Sequence, residues 1–214
     1  MFQVNRSYLR SMYYTAGIVI LTMGIALTIQ SKLGASPFDA LLVGLYRTYG
    51  LTIGSWEIVV GFSMIIVNSI AEKRRPEFIA LLTSFLTGVG IDFWVHSFKG
   101  WIEPETVMAQ YLCLLLGLVI LSLGIAVNLQ ADFAPNPFDR MMLVLRKLTG
   151  LNVSYSRAII SIVLVLIAGF YGGAIGVGTL IIAILSGVVI HYFMGYINGL
   201  DGWLSRKLPT YHNQ

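Results

Sequence analysis

Two aspartates, Asp39 and Asp139, sit one hundred residues apart in the same setting: Ser36-Pro37-Phe38-Asp39 and Asn136-Pro137-Phe138-Asp139. Such a run starts a helix abruptly. Ser and Asn accept a hydrogen bond at the N-cap, Pro fits the first helical position, and an acid at the third meets the positive end of the helix dipole. This is a capping box with Asp in place of Glu. The same geometry could do more, because two helix starts offer N–H groups and two carboxylates to a polar solute or a coupling cation. Capping alone and capping with ligand contact both stay open on the residues. The candidate substrate-binding set is therefore Ser36, Pro37, Asp39, Asn136, Pro137 and Asp139, with Gln30 and Gln130, which close the apolar segments just before each motif. The two glutamines could equally tie down carbonyls freed where those segments break.

Asp92 and His191 form a second candidate set. They stand at matching places in "LTGVGIDFW" and "LSGVVIHYF". Ionisable groups inside apolar helices are costly and default to a functional role, and histidine titrates near neutral pH, so the pair is a candidate for proton coupling. The competing reading puts both near hydrated helix ends. Glu57 and Arg157 also match across the halves, and either bridge them or extend to opposite membrane faces. Other chemistry finds no support. The one cysteine, Cys113, excludes an intrachain disulfide and a cysteine-based metal cluster and reads as a small packed hydrophobe. His96 and His212 lack metal-ligand spacing, and no Ser/His/Asp or Cys/His constellation is legible. Gly172, Gly173, Gly176 and Gly178 precede no Walker lysine and read as a flexible outer connector. No enzyme activity, metal or cofactor is expected.

The elements that must position these groups are long and apolar. Of 214 residues 57% are hydrophobic and 11% charged, with mean hydropathy +0.79; a soluble domain carries about 25% charged residues. Met12–Ile29, Ile53–Ile70, Ile79–Val95, Val107–Leu129, Val153–Tyr171 and Thr179–Met194 each approach the ~20 residues that cross a ~30 Å hydrocarbon core. The net charge of +4 lies between these runs and forms no basic, aromatic-interleaved face, which excludes nucleic acid as a partner. The first run has an internal near-copy at Leu114–Leu129, so it reads as a retained helix and not a signal peptide.

The chain is one unit written twice, with repeats at about 12–98 and 107–197 inside a single transmembrane domain spanning 1–214. Gly17, Gly24, Gln30 and Gly50 match Gly117, Gly124, Gln130 and Gly150. The paired glycines, seven residues apart, read as close helix packing. Basic residues at Arg6 and Arg10, Lys73–Arg75, and Arg206 and Lys207 mark cytoplasmic flanks, whereas the connectors around Glu103 and Gly172 are poor in basic residues. Six crossings satisfy this bias with both termini cytoplasmic; eight do not. Three crossings per repeat turn the second upside down. The expected fold is an all-α membrane protein of two inverted repeats, each with three transmembrane helices plus a short, broken Pro-Phe-Asp helix. Interrupted segments in inverted repeats point to a secondary-transporter site at the repeat interface.

The stretches "GASPFDALLVGL", "PNPFDRMML" and "GVGTLIIAILSGVVIHYF" resemble the YitT/YczE-like family of bacterial integral membrane proteins, over nearly the whole chain. The chain resembles the short YczE type, without the soluble C-terminal domain of larger members. The resemblance implies a bacterial plasma-membrane protein, in a family loosely grouped with exporters whose substrates are mostly unassigned. The expected function is a small secondary transporter or exporter of an unidentified small molecule. Its alternative is a non-transporting accessory protein that docks a cytoplasmic biosynthetic or signalling partner on Lys73–Glu77 and the C-terminal tail. The bilayer is the expected partner, and homo-oligomerisation stays open.

Overall fold

The computed structural model describes residues 6–133 and 136–207. Among them are eight helices and no strand: α1 (Arg6–Gln30), α2 (Pro37–Tyr49), α3 (Ile53–Glu72), α4 (Ile79–Phe98), α5 (Val107–Gln130), α6 (Pro137–Thr149), α7 (Val153–Phe170) and α8 (Val177–Lys207). Six are long and apolar enough to cross a membrane. The other two, α2 and α6, have 13 residues each and reach about 20 Å at 1.5 Å per residue, too short for a crossing. The side chains of Arg6, Arg206, Lys207 and His212 lie outside the described residues.

The order long, short, long, long occurs twice, and the breaks repeat in the backbone. Both α1 and α5 stop where a non-glycine residue turns left-handed, Lys32 at φ 61° and Asp132 at φ 47°. Only one or two residues of this kind are needed to end a helix, and their cost is accepted where surrounding structure over-determines the turn.

The principal packing is α1 on α5. A Cβ on Gly17 would stand 2.6 Å from Asn128 N, one on Gly117 would meet Thr28 N at 2.9 Å, and Gly24 and Gly124 lie closer still to the Leu121 and Leu21 backbones. The register runs in opposite senses along the two helices, so they cross antiparallel, and the expected glycine contact is real. Around this pair α4 packs on α1 and α8 on α5. Tyr14 Oη and Thr83 Oγ1 share a buried hydrogen bond of 2.8 Å between α1 and α4.

The short helices exchange partners. α2 lies mainly against α7, and α6 against α3. One half therefore holds the other's short helix, and the largest buried apolar cluster, including Phe38, Leu41, Leu42, Ile91, Leu118 and Leu164, draws on both. One element departs from the pattern: α4 packs extensively on α3, while α8, its counterpart, packs on α5 with a small contact to α2.

Gly172–Gly178 is not a loose connector. Ala35 N donates to Ala174 O at 2.9 Å and Gly178 N to Leu33 O at 2.8 Å, so this loop is bonded edge to edge with the α1–α2 linker. Gly34, at φ +112°, tolerates no side chain, since its Cβ would sit 2.7 Å from Gly176 N. Glycines are needed here for close backbone approach and not for looseness. Arg47 Nη1 and Thr48 Oγ1, from α2, add hydrogen bonds to the carbonyls of Gly172 and Tyr171.

Candidate functional site

The two Pro-Phe-Asp motifs meet. The rings of Phe38 and Phe138 lie 5.8 Å apart between centroids, and Phe38 is buried. Helices α2 and α6 therefore begin against each other, and each start is held by the other half. Asn68 of α3 donates to Pro137 O at 3.2 Å.

Capping follows the expected chemistry with two differences. At α2, Ser36 Oγ accepts from Asp39 N at 3.2 Å and donates to Asp39 Oδ2 at 2.5 Å. The carboxylate thus returns to the Ser36 hydroxyl and not to its N–H. At α6, Asn136 Oδ1 accepts from Phe138 N at 3.0 Å, one residue short of the third position, which leaves Asp139 out of the cap. The two ends also differ in burial: α2 is covered from Pro37 to Leu45, while in α6 only Pro37's counterpart, Pro137, and Val144 are buried.

Glu57, on the first turns of α3, is 1% exposed, and its Oε1 has no hydrogen-bond partner. Asp39, near the start of α2, is likewise buried, at 4% exposed. At the matching place in the second half, Asp139 interacts electrostatically with Arg157. Position 57 and its counterpart 157 thus carry an acid in one half and a base in the other. Sequence reasoning singled out both residues, either bridging the halves or reaching opposite faces, and the structure shows no bridge between them. Further buried hydroxyls without partners line the surrounding helices: Ser84 and Thr87 on α4, Ser122 on α5 and Ser156 on α7.

Asp92 and His191 are not brought together. Asp92 accepts from Gly54 N at 2.8 Å and from Thr52 Oγ1 at 2.5 Å, so it caps the start of α3. His191 is exposed on α8, a helix that does not pack on α4. Gln30 and Gln130 make no side-chain hydrogen bond among the described residues. The Thr28 carbonyl near the first break is taken instead by Ser31 Oγ at 2.6 Å. Gln130 lines an open cavity of about 330 Å³, together with Arg10, Tyr13, Asp132 and Asp201, away from the motif junction. No group of three or more His, Cys, Asp or Glu side chains suited to a metal ion occurs among the described residues.

On the side of the molecule that carries Lys73–Arg75, α6 is fastened by ion pairs. Arg140 Nη2 reaches Glu72 at 2.9 Å and Glu77 at 2.8 Å, and Lys147 Nζ reaches Glu72 at 3.0 Å. Lys147 and Glu72 occupy the places that Arg47 and Gly172 hold in the other half's fastening.

Comparison with known proteins places this arrangement in a family. Residues 8–195 match the model of a family of unknown function, DUF6198. An uncharacterized protein of Bacillus subtilis, YyaS, is 42% identical over 87% of this chain and 92% of its own length. The uncharacterized membrane protein YczE of the same organism is 35% identical over 86% of this chain and 85% of its own. A protein of Haemophilus influenzae, also uncharacterized, is 24% identical over 83% of this chain and 80% of its own. No solved structure matches. The chain is a multispanning membrane protein and belongs to the DUF6198 family, among the YczE-like bacterial membrane proteins.

Proposed function

We propose that the protein is a small secondary transporter of the bacterial plasma membrane, with a polar site where its two short helices start. The observation that carries this reading is the meeting of the Pro-Phe-Asp motifs at Phe38 and Phe138, beside a buried carboxylate with no partner. A bilayer core supplies no water to irregular backbone, so a chain breaks helices there only when protein or a wet cavity serves the freed groups. The basic flanks at Arg10 and Lys73–Arg75 favour cytoplasmic termini, and the antiparallel crossing of α1 and α5, near the middle of both spans, supports an inverted arrangement of the halves. So does the exchange of α2 and α6 between halves. Two half-helix N-termini facing one site suit a polar solute, and rocking of one half against the other would expose it to each face in turn.

The test is transport by purified protein in liposomes. Vesicles are incubated with a metabolite mixture, with and without an imposed proton or sodium gradient, and their contents are analysed. The proposal expects at least one compound to accumulate with wild-type protein and not with Asp39→Asn or Asp139→Asn. If wild-type vesicles match protein-free vesicles for every compound under every gradient, the transport reading falls and the accessory-protein reading takes its place.

A further inference from the structure

We propose that a cavity at one end of the helix bundle binds a zwitterion that joins a primary ammonium to a phosphate, as a phosphoethanolamine head group does. The inference stands apart from the transport reading. The cavity measures about 330 Å³, and Arg10, Tyr13, Gln130, Asp132 and Asp201 line it; ligand sites start at about 300 Å³. It lies where three spanning segments end, at Tyr8 on α1, Gln130 on α5 and Asp201 on α8. Packing brings those ends together. Tyr14 O accepts from Asn128 Nδ2 at 3.3 Å, which ties α1 to α5. Ile190 and Ile197 of α8 are buried with Ala126 of α5, and Asp201 follows Ile197 by one turn. The hydrogen bond from Tyr14 to Thr83, near the start of α4, sets the cavity at the end that carries Lys73–Arg75.

The wall offers the groups such a zwitterion needs. Two carboxylates, Asp132 and Asp201, stand against one guanidinium, Arg10, so the lining is short of positive charge. Asp201 forms no ion pair and accepts no hydrogen bond among the described residues, and an ammonium would supply both. Arg10 reaches Asp132 only at 3.4 Å, with the two side chains 54% and 82% exposed. So loose a pair is exchanged at little cost, and it frees a planar guanidinium that suits a phosphate through two parallel hydrogen bonds. The Tyr13 hydroxyl is buried without a partner, and Gln130 makes no side-chain hydrogen bond among the described residues. Leu9 and Leu129 complete the wall with apolar surface, Leu129 being 50% exposed.

The repeat shows that the fold does not demand this cluster. At a shift of one hundred, Arg10, Tyr13 and Asp132 correspond to Gln110, Cys113 and Lys32. The left-handed turn recurs at Lys32 and Asp132, while the charges do not. Groups required by the shared architecture would appear in both halves. A phosphoethanolamine group reaches this depth either on a phospholipid, whose head group lies just outside the hydrocarbon core, or as a free diester from solution. The chemistry is the same, and the experiment separates the sources.

Thermal unfolding of the purified full-length chain in detergent reads binding without a transport assay, since a ligand of the folded state raises Tm with its concentration. One arm adds short-chain phosphatidylethanolamine. The other adds glycerophosphoethanolamine, which keeps the head group and lacks acyl chains. The matching choline compounds are the controls, because a trimethylammonium donates no hydrogen bond to a carboxylate. A Tm rise of several degrees is expected with at least one ethanolamine compound: with the lipid alone for a site filled from the bilayer, with the free diester for one filled from solution. The half-saturating concentration should rise about tenfold or more in Asp201→Asn and in Arg10→Gln, the effect of losing one charge-assisted contact. Arg10 is exposed and Asp201 partly so, both near helix ends, so each variant should fold and is read against its own ligand-free Tm. No rise with either ethanolamine compound, a rise equalled by the choline controls, or a half-saturating concentration unchanged in Asp201→Asn or in Arg10→Gln overturns the proposal.

Discussion

Replacing Gly24 by alanine inserts one methyl group into the tight α1–α5 crossing, and its cost follows from the geometry. At Gly17, the roomier neighbour on the same face, an added Cβ would lie 2.6 Å from Asn128 N, where ordinary contact starts at 3.4 Å; Gly24 is tighter against Leu121. The clash is with backbone, so no side chain can swing away and α1 and α5 must separate locally by about 1 Å. A gap of ~0.5–1 Å forfeits a quarter to a half of each contact's dispersion energy, and overpacking a tight core costs ~1–3 kcal/mol. The rigid obstacle puts Gly24→Ala near ~3 kcal/mol, which at ~2–4 °C per kcal/mol for a chain of this size is a Tm loss of about 6–12 °C. Gly187→Ala on α8 is the control, since a Cβ there meets nothing within 4 Å. Alanine's better helix propensity should leave it neutral or slightly stabilising, by up to about 1 kcal/mol. Gly24→Ala combined with Gly124→Ala should cost less than the sum, because one opening of the crossing relieves both. Tm of the purified variants in one detergent checks this. A Gly24→Ala protein within about 2 °C of wild type would refute the crossing geometry.

Asp92→Ala removes the acceptor for Thr52 and Gly54 N at the start of α3 and should cost about 1–2 kcal/mol, read as a lower Tm. His191→Gln should leave Tm unchanged, and the double variant should equal the sum, since the two groups do not meet. Glu72→Gln removes the negative charge that pairs with both Arg140 and Lys147; these partly exposed pairs together should be worth about 1–2 kcal/mol, and the loss should shrink in high salt. In a Cys113→Ala background, a cysteine at Arg74 should react with an impermeant thiol reagent only from the cytoplasmic side and one at Glu103 only from outside; labelling of position 74 in intact cells would overturn six crossings with an internal N-terminus.

Much of the fold was legible because it is written in local periodicity. Long apolar runs located the six spanning helices to within a few residues, except that α1 and α8 extend further into charged and polar sequence. The Pro-Phe-Asp runs marked both short helices, since proline fixes φ and the preceding Ser or Asn caps. The glycine pairs announced the α1–α5 contact because a seven-residue spacing keeps them on one face. What was hidden depends on residues far apart in the chain. Gly34 and Gly176 meet because two linkers from opposite halves lie side by side, and a glycine cluster read in isolation looks loose. The burial of Glu57 with its Oε1 unpartnered depends on how α3 packs on other helices, which local sequence does not show. Symmetry also misled: equivalent positions such as Asp92 and His191 need not touch, and α8 does not repeat α4's packing.

Reactivity of a cysteine at the motif junction, from each face of the membrane, tests the central claim most directly. Ser36→Cys is close in size to the native side chain and stands at the start of α2, in the Cys113→Ala background. Right-side-out and inside-out vesicles are treated separately with an impermeant thiol reagent, and the extent of labelling is followed over time. A site that opens to each side in turn predicts that this one position is labelled in both orientations, with Arg74→Cys and Glu103→Cys confirming that each preparation is sealed and oriented. Labelling of Ser36→Cys from one face alone, at saturation and in controls that pass, would contradict a transporter built around the two motifs.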